Sequence, residues 1–465
     1  VTRETIKKST IEGHIYFLAA DELKGRETGT PEIDIAAQYL ATTLRRFGVK
    51  PVPGTENGYF QSVFLETVKP ATYKKLTTDS FETVQLIMMA GGNIDTTYEA
   101  VFVGYGSEKD YKRKKVEGKL VVALAGIDDP TNATASFAQA SIKSKLAKER
   151  GASGLIEINA FEEKDWSRFV NYFDRSTVQA KKEVESDFIH IWLQDSEDKF
   201  LNTVKKRGAS VDLRISGKTK IPMPAKNVVG MVEGTDPKLK DEFIIYSAHY
   251  DHIGVGQPDA EGDSIYNGAR DNAVGTVTVL SAAESIAKNP TKRSALFILF
   301  TGEEKGLLGS KWYADHPLIP LDQMVYCFNS DNGGYNDTSV ATIIGLGRTT
   351  AEDHIKAACA EFGLEAIDDP APEQGLFDRS DNVSFASKGV PAPTFSLGFR
   401  AFDAEIGKYY HQTADNPDNL DYEYLTKFFG AYVMACRLIA NDPETPFWLE
   451  GDKYYQAGRK LYKDK

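Results

Sequence analysis

The sequence predicts an α/β protein of three layers, in which a mostly parallel central sheet lies between two layers of helices. After Pro224, strongly apolar runs alternate with helical stretches, and this alternation is typical of a parallel sheet that is buried on both faces. The predicted strands span 242–248, 295–300, 324–328 and 394–397, with helices that begin near 273 and 307. Before them, apolar residues at helical spacing predict two amphipathic helices within 6–48.

A second, β-rich unit interrupts this pattern. Between 82 and 224, short β-rich runs such as 99–104 and 119–125 alternate with turns and one helical stretch near 141–150. The sequence therefore predicts three segments: an N-terminal part of the main domain at 1–81, an insert at 82–224 and the larger part of the main domain at 225–465.

Composition excludes several classes of protein. Of the 465 residues, 41% are hydrophobic and 11% aromatic, which is enough for a packed core and excludes disorder as the main state. A net charge of −12, without a block of basic residues, argues against nucleic acid or an anionic membrane surface as the main partner. Every apolar run falls short of the roughly 18 residues that a membrane span needs. The sequence does not determine the oligomeric state.

The cysteines and the start of the chain bear on the cellular compartment. Cys327, Cys359 and Cys436 stand far apart in apolar contexts, so we expect small buried hydrophobic residues rather than disulfides or a cysteine-based zinc site. The chain begins at Val1, which fits a removed export signal or a trimmed chain. We expect an exported protein that is periplasmic, extracellular or attached to the cell surface.

The first two predicted strand ends carry chemistry-bearing residues. Ligands of open α/β sheets bind outside the carboxyl ends of the strands. The first strand ends in HYDHIG, where Asp251 could accept a hydrogen bond from the second ring N–H of a metal-bound His249. An isolated His-x-Asp pattern, however, is more often part of a polar loop. Asp271, in GARDNAVG, precedes a helix and is either a helix cap or a carboxylate that bridges two cations.

Three further acidic residues and a second histidine complete the pattern. Glu303 and Glu304 follow a buried strand. Two like charges there raise one another's pKa unless a cation is present. One glutamate can therefore bind metal while the other stays free as a base. Asp331 follows the next strand, and His411 lies in a loop rich in turn formers. Taken one at a time, none of these residues indicates a metal site. Together, two imidazoles and three carboxylates suit a pair of borderline divalent ions such as zinc, with one glutamate left as a proton acceptor.

The order of these motifs resembles a known family. SAHYDHIG, GARDNAVG, TGEEKGLLGS, NSDNGG and YHQTADNPDNL, with the opening FLAADELKGRETGTPE, closely resemble the co-catalytic zinc exopeptidases of the bacterial leucyl aminopeptidase and glutamate carboxypeptidase type. The likeness covers nearly the whole chain. The insert, with VFVGYG, VEGKLVVALAG and GASGLIEI, resembles a protease-associated domain. The resemblance implies the aminopeptidase-like zinc exopeptidase fold with this insert.

The resemblance also implies the roles of individual residues. It implies two Zn²⁺ ions per chain, held by His249 and Asp331 on one side, by Glu304 and His411 on the other, and by Asp271 as the bridge. It further implies Glu303 as the general base, Asp251 as the carboxylate that orients His249, and a cis peptide bond between Asp271 and Asn272.

The activity implied is that of an aminopeptidase that removes N-terminal residues from peptides. A carboxypeptidase or dipeptidase of the same family stays open, because Arg379 or Arg400 could clamp a substrate carboxylate. A glutaminyl cyclase-like acyltransferase is a further alternative, but the complete ligand set argues against it. One departure is Asn382, where many relatives have histidine, and we expect this position to adjust the substrate pocket.

Overall fold

The chain folds into two compact units in a computed structural model that describes residues 1–184, 186–206 and 208–463. Unit 1 combines Val1–Phe64 with Pro224–Lys465, and unit 2 is Leu65–Met223.

The strands are β1 (Lys50–Pro51), β2 (Phe60–Lys69), β3 (Tyr73–Thr77), β4 (Glu82–Thr83), β5 (Leu86–Ala90), β6 (Ile94–Phe102), β7 (Leu120–Leu124), β8 (Gly154–Asn159), β9 (Thr177–Ala180), β10 (Ile189–Gln194), β11 (Ser210–Ser216), β12 (Thr219–Val232), β13 (Phe243–His249), β14 (Gly254–Val255), β15 (Ile265–Tyr266), β16 (Ser294–Phe300), β17 (Met324–Ser330), β18 (Val340–Ile344), β19 (Glu365–Ile367) and β20 (Thr394–Leu397). The α-helices are α1 (Thr2–Thr5), α2 (Lys8–Leu18), α3 (Pro31–Phe47), α4 (Ala133–Glu149), α5 (Glu163–Phe173), α6 (Lys199–Val204), α7 (Gly275–Lys288), α8 (Leu308–Asp315), α9 (Glu352–Glu361), α10 (Asn382–Ala386), α11 (Ala404–Gly407), α12 (Tyr422–Asn441) and α13 (Tyr455–Leu461).

The sheet of unit 1 is parallel at its centre and antiparallel on its flanks. Its strand order is β19-β18-β20-β17-β13-β16-β12-β2, and β1 pairs with β12. Strands β16, β13, β17 and β20 run parallel. Antiparallel pairs flank this centre: β12 with β16, β18 with β20, and β1 with β12; the edge strand β19 is parallel to β18. The predicted mostly parallel α/β sheet is confirmed.

Both faces of this sheet are covered, which makes three layers. Along β13, Ile244 and Tyr246 join a core cluster with residues of α2, α3, α7 and α12, whereas Ile245 joins a cluster on the opposite face with Tyr313 of α8 and Phe385 of α10. Successive side chains of a strand point to opposite faces. A strand that is buried at every position, as β13 is, therefore needs helices on both sides.

The two predicted N-terminal helices are α2 and α3. The Thr30 side chain accepts a hydrogen bond from the amide of Ile33, and Pro31 occupies the first turn of α3, as is typical of helix starts. Gly48, at φ +84°, ends the helix in the left-handed conformation that glycine adopts without strain. The apolar side of α3 is buried against the sheet of unit 1.

Unit 2 contains a sheet of its own, with the strand order β4-β3-β11-β6-β7-β8-β10-β5. Strands β6, β7, β8 and β10 are parallel, and α4 connects β7 to β8. The unit begins before residue 82 because β3 pairs with β11. Within the same unit, the Leu65–Val68 part of β2 pairs with β9.

Two further expectations concern the described residues as a whole. The three cysteines are buried and free, as expected. Among the helices that the structure describes, none combines the length and apolar character needed to span a membrane.

Candidate metal centre

The predicted residues meet at one edge of the central sheet. His249 is the last residue of β13, Asp331 directly follows β17, and Glu303 and Glu304 lie in the loop after β16. These three strands are neighbours and run parallel, so the loops after them leave from the same edge.

The first group of side chains surrounds His249. Its Nε2 atom lies 3.2 Å from Asp331 Oδ1 and 3.4 Å from Asp271 Oδ1. Two ligands bound tetrahedrally to one zinc ion at 2.0–2.1 Å lie about 3.4 Å apart. His249 Nδ1 donates to the backbone carbonyl of Asp251 at 3.1 Å, and because a carbonyl only accepts, the Nε2 lone pair of a neutral ring faces the two carboxylates.

The second group surrounds His411. Its Nε2 atom lies 3.1 Å from Asp271 Oδ2 and 3.3 Å from Glu304 Oε2. The two oxygens of Asp271 therefore face different imidazoles, which is the arrangement of a carboxylate between two cations. His411 has a backbone φ of +55°, which is uncommon for a residue other than glycine.

The five candidate ligands thus lie close together, with His249 beside Asp331, His411 beside Glu304 and Asp271 between the two histidines. Their donor atoms are imidazole nitrogens and carboxylate oxygens, which suit zinc and similar divalent ions. Burial and Asp271 act to raise the pKa of Glu304, but hydrogen bonds from His252 and His411 outweigh them and lower this pKa to about 2. Glu304 is therefore ionised and available to a cation.

His252 has no role in the sequence-based prediction, although it stands in the first motif. Its Nδ1 atom donates to Glu304 Oε1 at 2.8 Å, and its ring is fully buried. Its Nε2 atom is buried without a hydrogen-bond partner among the residues that the structure describes. Because 2.8 Å is a hydrogen-bond distance, we assign His252 to holding Glu304 in place.

Glu303 lies beside the first group. One of its carboxylate oxygens is 3.9 Å from His249 Nε2, and its side chain is 11% exposed. Burial raises the pKa of Glu303 well above its ordinary value; His249 opposes this shift, while Asp331 and Asp381 add to it. A poorly solvated carboxylate next to a metal site is suited to accept a proton.

Asp251 acts differently from what the sequence suggests. Its carboxylate was expected to orient His249, but the nearest carboxylate oxygen lies 3.6 Å from His249 Nδ1, and the backbone carbonyl of Asp251 accepts the hydrogen bond instead. The carboxylate accepts from the amides of Glu303 and Glu304 at 3.2 and 3.3 Å, and from the Thr28 hydroxyl at 3.2 Å. Asp251 thus fixes the backbone of both glutamates.

A buried ion pair holds the loop of Asp271. The carboxylate of Asp415 accepts from the amides of Arg270 and Asp271 at 3.0 and 3.1 Å, and from Arg270 Nη1 at 3.1 Å. The Arg270 guanidinium also lies 3.7 Å from the ring centre of Tyr409. The peptide bond after Asp271 is cis, as expected. The sequence shows both charged residues but no sign that they pair.

Arg26 holds the same region from the other side. This fully buried side chain donates to the carbonyls of Tyr250, Asn267 and Gly268 at 2.7–3.0 Å, and to that of Leu18. It therefore ties the residue after His249 to the loop before Asp271.

A crevice of about 450 Å³ opens onto the ligand groups. Its acidic part comprises Asp271, Glu303, Glu304 and Asp331; its apolar part comprises Ile344, Leu376, Phe399, Phe402 and Ile406. Asn382, expected to adjust this pocket, is not among the lining residues. Its side chain is buried and donates to the carbonyls of Phe377 and Ala392, so it supports the turn behind the crevice wall.

Part of the chain is similar to a known protein family. Residues 227–435 match peptidase family M28. The matched residues include all five candidate ligands, which are His249, Asp271, Glu304, Asp331 and His411.

Two relatives and two solved structures illustrate the similarity. The chain is 28% identical over 207 residues to Aminopeptidase YwaD of Bacillus subtilis, covering 43% of this chain and 42% of that protein. It is 24% identical over 284 residues to a probable leucine aminopeptidase 2 of Aspergillus oryzae, covering 57% and 54%. The chain thus spans about half the length of these curated relatives.

The solved structures show the fold. An aminopeptidase from Aneurinibacillus sp. strain AM-1 superposes with a TM-score of 0.56 at 21% identity, covering 95% of this chain and 96% of that chain. A zinc aminopeptidase from Bacillus subtilis has a TM-score of 0.50 at 18% identity, covering 94% and 97%. The predicted zinc exopeptidase fold is confirmed.

Proposed function

We propose that the chain is a dizinc aminopeptidase that removes N-terminal residues from peptides. The observation that carries this proposal is the position of Asp271, whose two oxygens face His249 and His411 at 3.4 and 3.1 Å, with Glu303 beside them. The M28 match and relatives that are named aminopeptidases support it.

The residues divide into those that hold the metal and one that moves a proton. His249, Asp331 and Asp271 would hold one zinc ion; Asp271, Glu304 and His411 would hold the other. Bound zinc lowers the pKa of a water molecule and polarises a carbonyl oxygen. Glu303 accepts the proton of the water that attacks the scissile carbonyl and then donates it to the departing amine.

The crevice suits the N-terminal end of a peptide. A free α-amino group is cationic at neutral pH, and Asp331, which is 20% exposed, faces the crevice with Glu304. The apolar part of the wall offers space for the side chain of the N-terminal residue.

The test combines metal content with substrate requirements. The purified protein is expected to contain near two zinc ions per chain and to cleave aminoacyl substrates until a chelator removes the metal. N-blocked peptides should not be cleaved, and adding zinc back should restore activity. Cleavage of N-blocked peptides from their C-terminus would indicate the carboxypeptidase alternative, and cyclisation of N-terminal glutamine would indicate the acyltransferase.

A matched pair of variants adds to this test. Glu303→Gln removes the proposed proton acceptor, whereas Glu444→Gln makes the same change at an exposed position in unit 1. Only the first should lose activity. If both variants match the unmodified protein, Glu303 is not the base.

Two further proposals come from the sequence. We propose that unit 2 is a protease-associated domain, since its VFVGYG and GASGLIEI segments lie in or beside the parallel strands β6 and β8. We also propose that the protein acts outside the cytoplasm, which fractionation of the producing cells would test.

A further inference from the structure

Two cationic side chains line the crevice without an acidic partner. Within the described part of the chain, no carboxylate lies within 4.0 Å of Lys311 or Arg379. Lys311 Nζ donates to the carbonyl of Gly306 at 2.9 Å, and Arg379 Nη2 donates to the Tyr410 hydroxyl at 3.3 Å. Both contacts are to neutral oxygens, so both charges stay available.

The structure separates Arg379 from the other arginine of this region. Arg400 is not part of the crevice lining, and its guanidinium is committed to Asp337 at 2.6 Å and Glu365 at 3.1 Å. Asp378, the acidic residue next to Arg379 in the chain, is paired with Lys453 at 2.8 Å. Arg379 is therefore the arginine that is free to bind a crevice ligand.

Arg379 also lies close to the reacting region. The ring of Tyr410 stacks on that of His411 with 4.1 Å between the ring centres, and the hydroxyl at its far end receives the hydrogen bond from Arg379. The guanidinium is thus one tyrosine side chain away from a candidate metal ligand. A dipeptide spans about 7 Å, which is comparable to the length of the tyrosine side chain that separates the guanidinium from His411.

The turn that carries Arg379 is well anchored. Phe377 is buried and stacks with Tyr454, and its carbonyl accepts from Asn382 at 3.1 Å. The backbone two residues before Arg379 is therefore held in place beside the crevice that the Arg379 side chain lines.

We propose that Arg379, assisted by Lys311, binds a carboxylate of the substrate and so favours short peptides with a free C-terminus. This inference rests on the proposed peptidase function. A guanidinium offers two parallel N–H donors that match the two oxygens of a carboxylate. The same chemistry is present in an acidic side chain directly after the scissile bond, and the experiment distinguishes these two sources.

The experiment compares three substrates that share an N-terminal leucine: the dipeptide Leu-Gly, its C-terminal amide, and Leu-Glu amide. The variants are Arg379→Gln, Arg379→Lys, Lys311→Gln and the matched control Arg400→Gln. For Leu-Gly, we expect Arg379→Gln to lower kcat/KM about tenfold or more, mainly through KM, because a hydrogen bond to a charged group is lost. For the neutral amide, the loss should be under twofold.

The other variants refine the prediction. Arg379→Lys should retain part of the preference for Leu-Gly, because it keeps the charge but loses the paired donors. Lys311→Gln should show a smaller loss than Arg379→Gln, and Arg400→Gln should match the unmodified enzyme on all three substrates.

The outcomes are distinguishable. A loss on Leu-Gly alone supports recognition of the C-terminal carboxylate, whereas a loss on Leu-Glu amide alone shows that Arg379 recognises an acidic side chain and overturns the preference for short peptides. Equal losses on Leu-Gly and its neutral amide would overturn carboxylate binding altogether. If the unmodified protein cleaves none of the three, the proposed peptidase function itself fails.

Discussion

Replacing Asp415 by asparagine probes how the metal site is held together. The Asp415 carboxylate accepts hydrogen bonds from the amides of Arg270 and Asp271 and from the Arg270 guanidinium, at 3.0–3.1 Å. Arg270 and Asp415 have side chains only 3% and 1% exposed. The substitution removes the charge and turns one acceptor into a donor that faces other donors.

The expected magnitude follows from these contacts. Removing one partner of a buried ion pair costs about 3–5 kcal/mol of stability. Asp415 holds the backbone of Asp271 and lies four residues after His411, so both loops of the second ligand group lose their connection. Residues that support metal ligands typically change metal affinity by about 10–100-fold, and we expect a loss of this size for zinc.

The assay is zinc competition against a chelator of known affinity, together with the melting temperature of the metal-free protein. Asp418→Asn is the matched control, because Asp418 lies in the same loop but is exposed, and its carboxylate accepts a hydrogen bond from the Tyr16 hydroxyl. A double-mutant cycle with Arg270→Met completes the design. The double variant should be more stable than the sum of the single losses predicts, by about 1 kcal/mol or more.

Two results would refute this reasoning. If Asp415→Asn retains zinc affinity within twofold, the carboxylate does not position Asp271. If the losses of Asp415→Asn and Arg270→Met simply add, the two side chains do not act as a pair.

Three further predictions follow from the structure. Glu303→Gln should keep its zinc but lose about a hundredfold or more in rate, because general-base catalysis contributes that much; loss of zinc would instead make Glu303 a ligand. Chelation should lower the melting temperature of the unmodified protein, since zinc binds the folded state, and Asp271→Ala should abolish this zinc-dependent shift; a shift that survives would remove Asp271 from the ligand set. Burial lowers the pKa of His14 from 6.5 to about 4, so the unfolded chain binds the extra proton between these pH values and stability falls as pH drops from 6.5 to 4, by up to about 3 kcal/mol. His14→Gln, which can still bond to Tyr39, should flatten this part of the stability curve relative to the unmodified protein, and identical curves would contradict the prediction.

The sequence predicts the candidate ligands in part because three of them are marked by a local pattern. His249, Glu304 and Asp331 each follow an apolar run that forms a buried strand, and the direction of parallel strands brings such positions to one edge. The same strand patterns predict the fold class. Each apolar run and the candidate ligand that follows it lie within about ten residues of each other, which is why the pattern can be read without a structure.

Other parts of the site depend on contacts between distant segments. Arg270 and Asp415 are 145 residues apart, and Asp251 reaches the amides of Glu303 and Glu304 across about fifty residues. His252 follows directly after a recognisable motif, but only its distance to Glu304 assigns its role.

The sequence alone thus determined the fold class and predicted the strand-end positions of three candidate metal ligands and the glutamate beside them. Tertiary structure decided which groups support those ligands, and which of the two arginines, Arg379 or Arg400, is free to meet a substrate. The physical reason is range: burial periodicity and turn chemistry act between near neighbours in the chain. Pairing of charges and hydrogen bonds, in contrast, depends on which distant loops the packed sheet brings within about 3 Å.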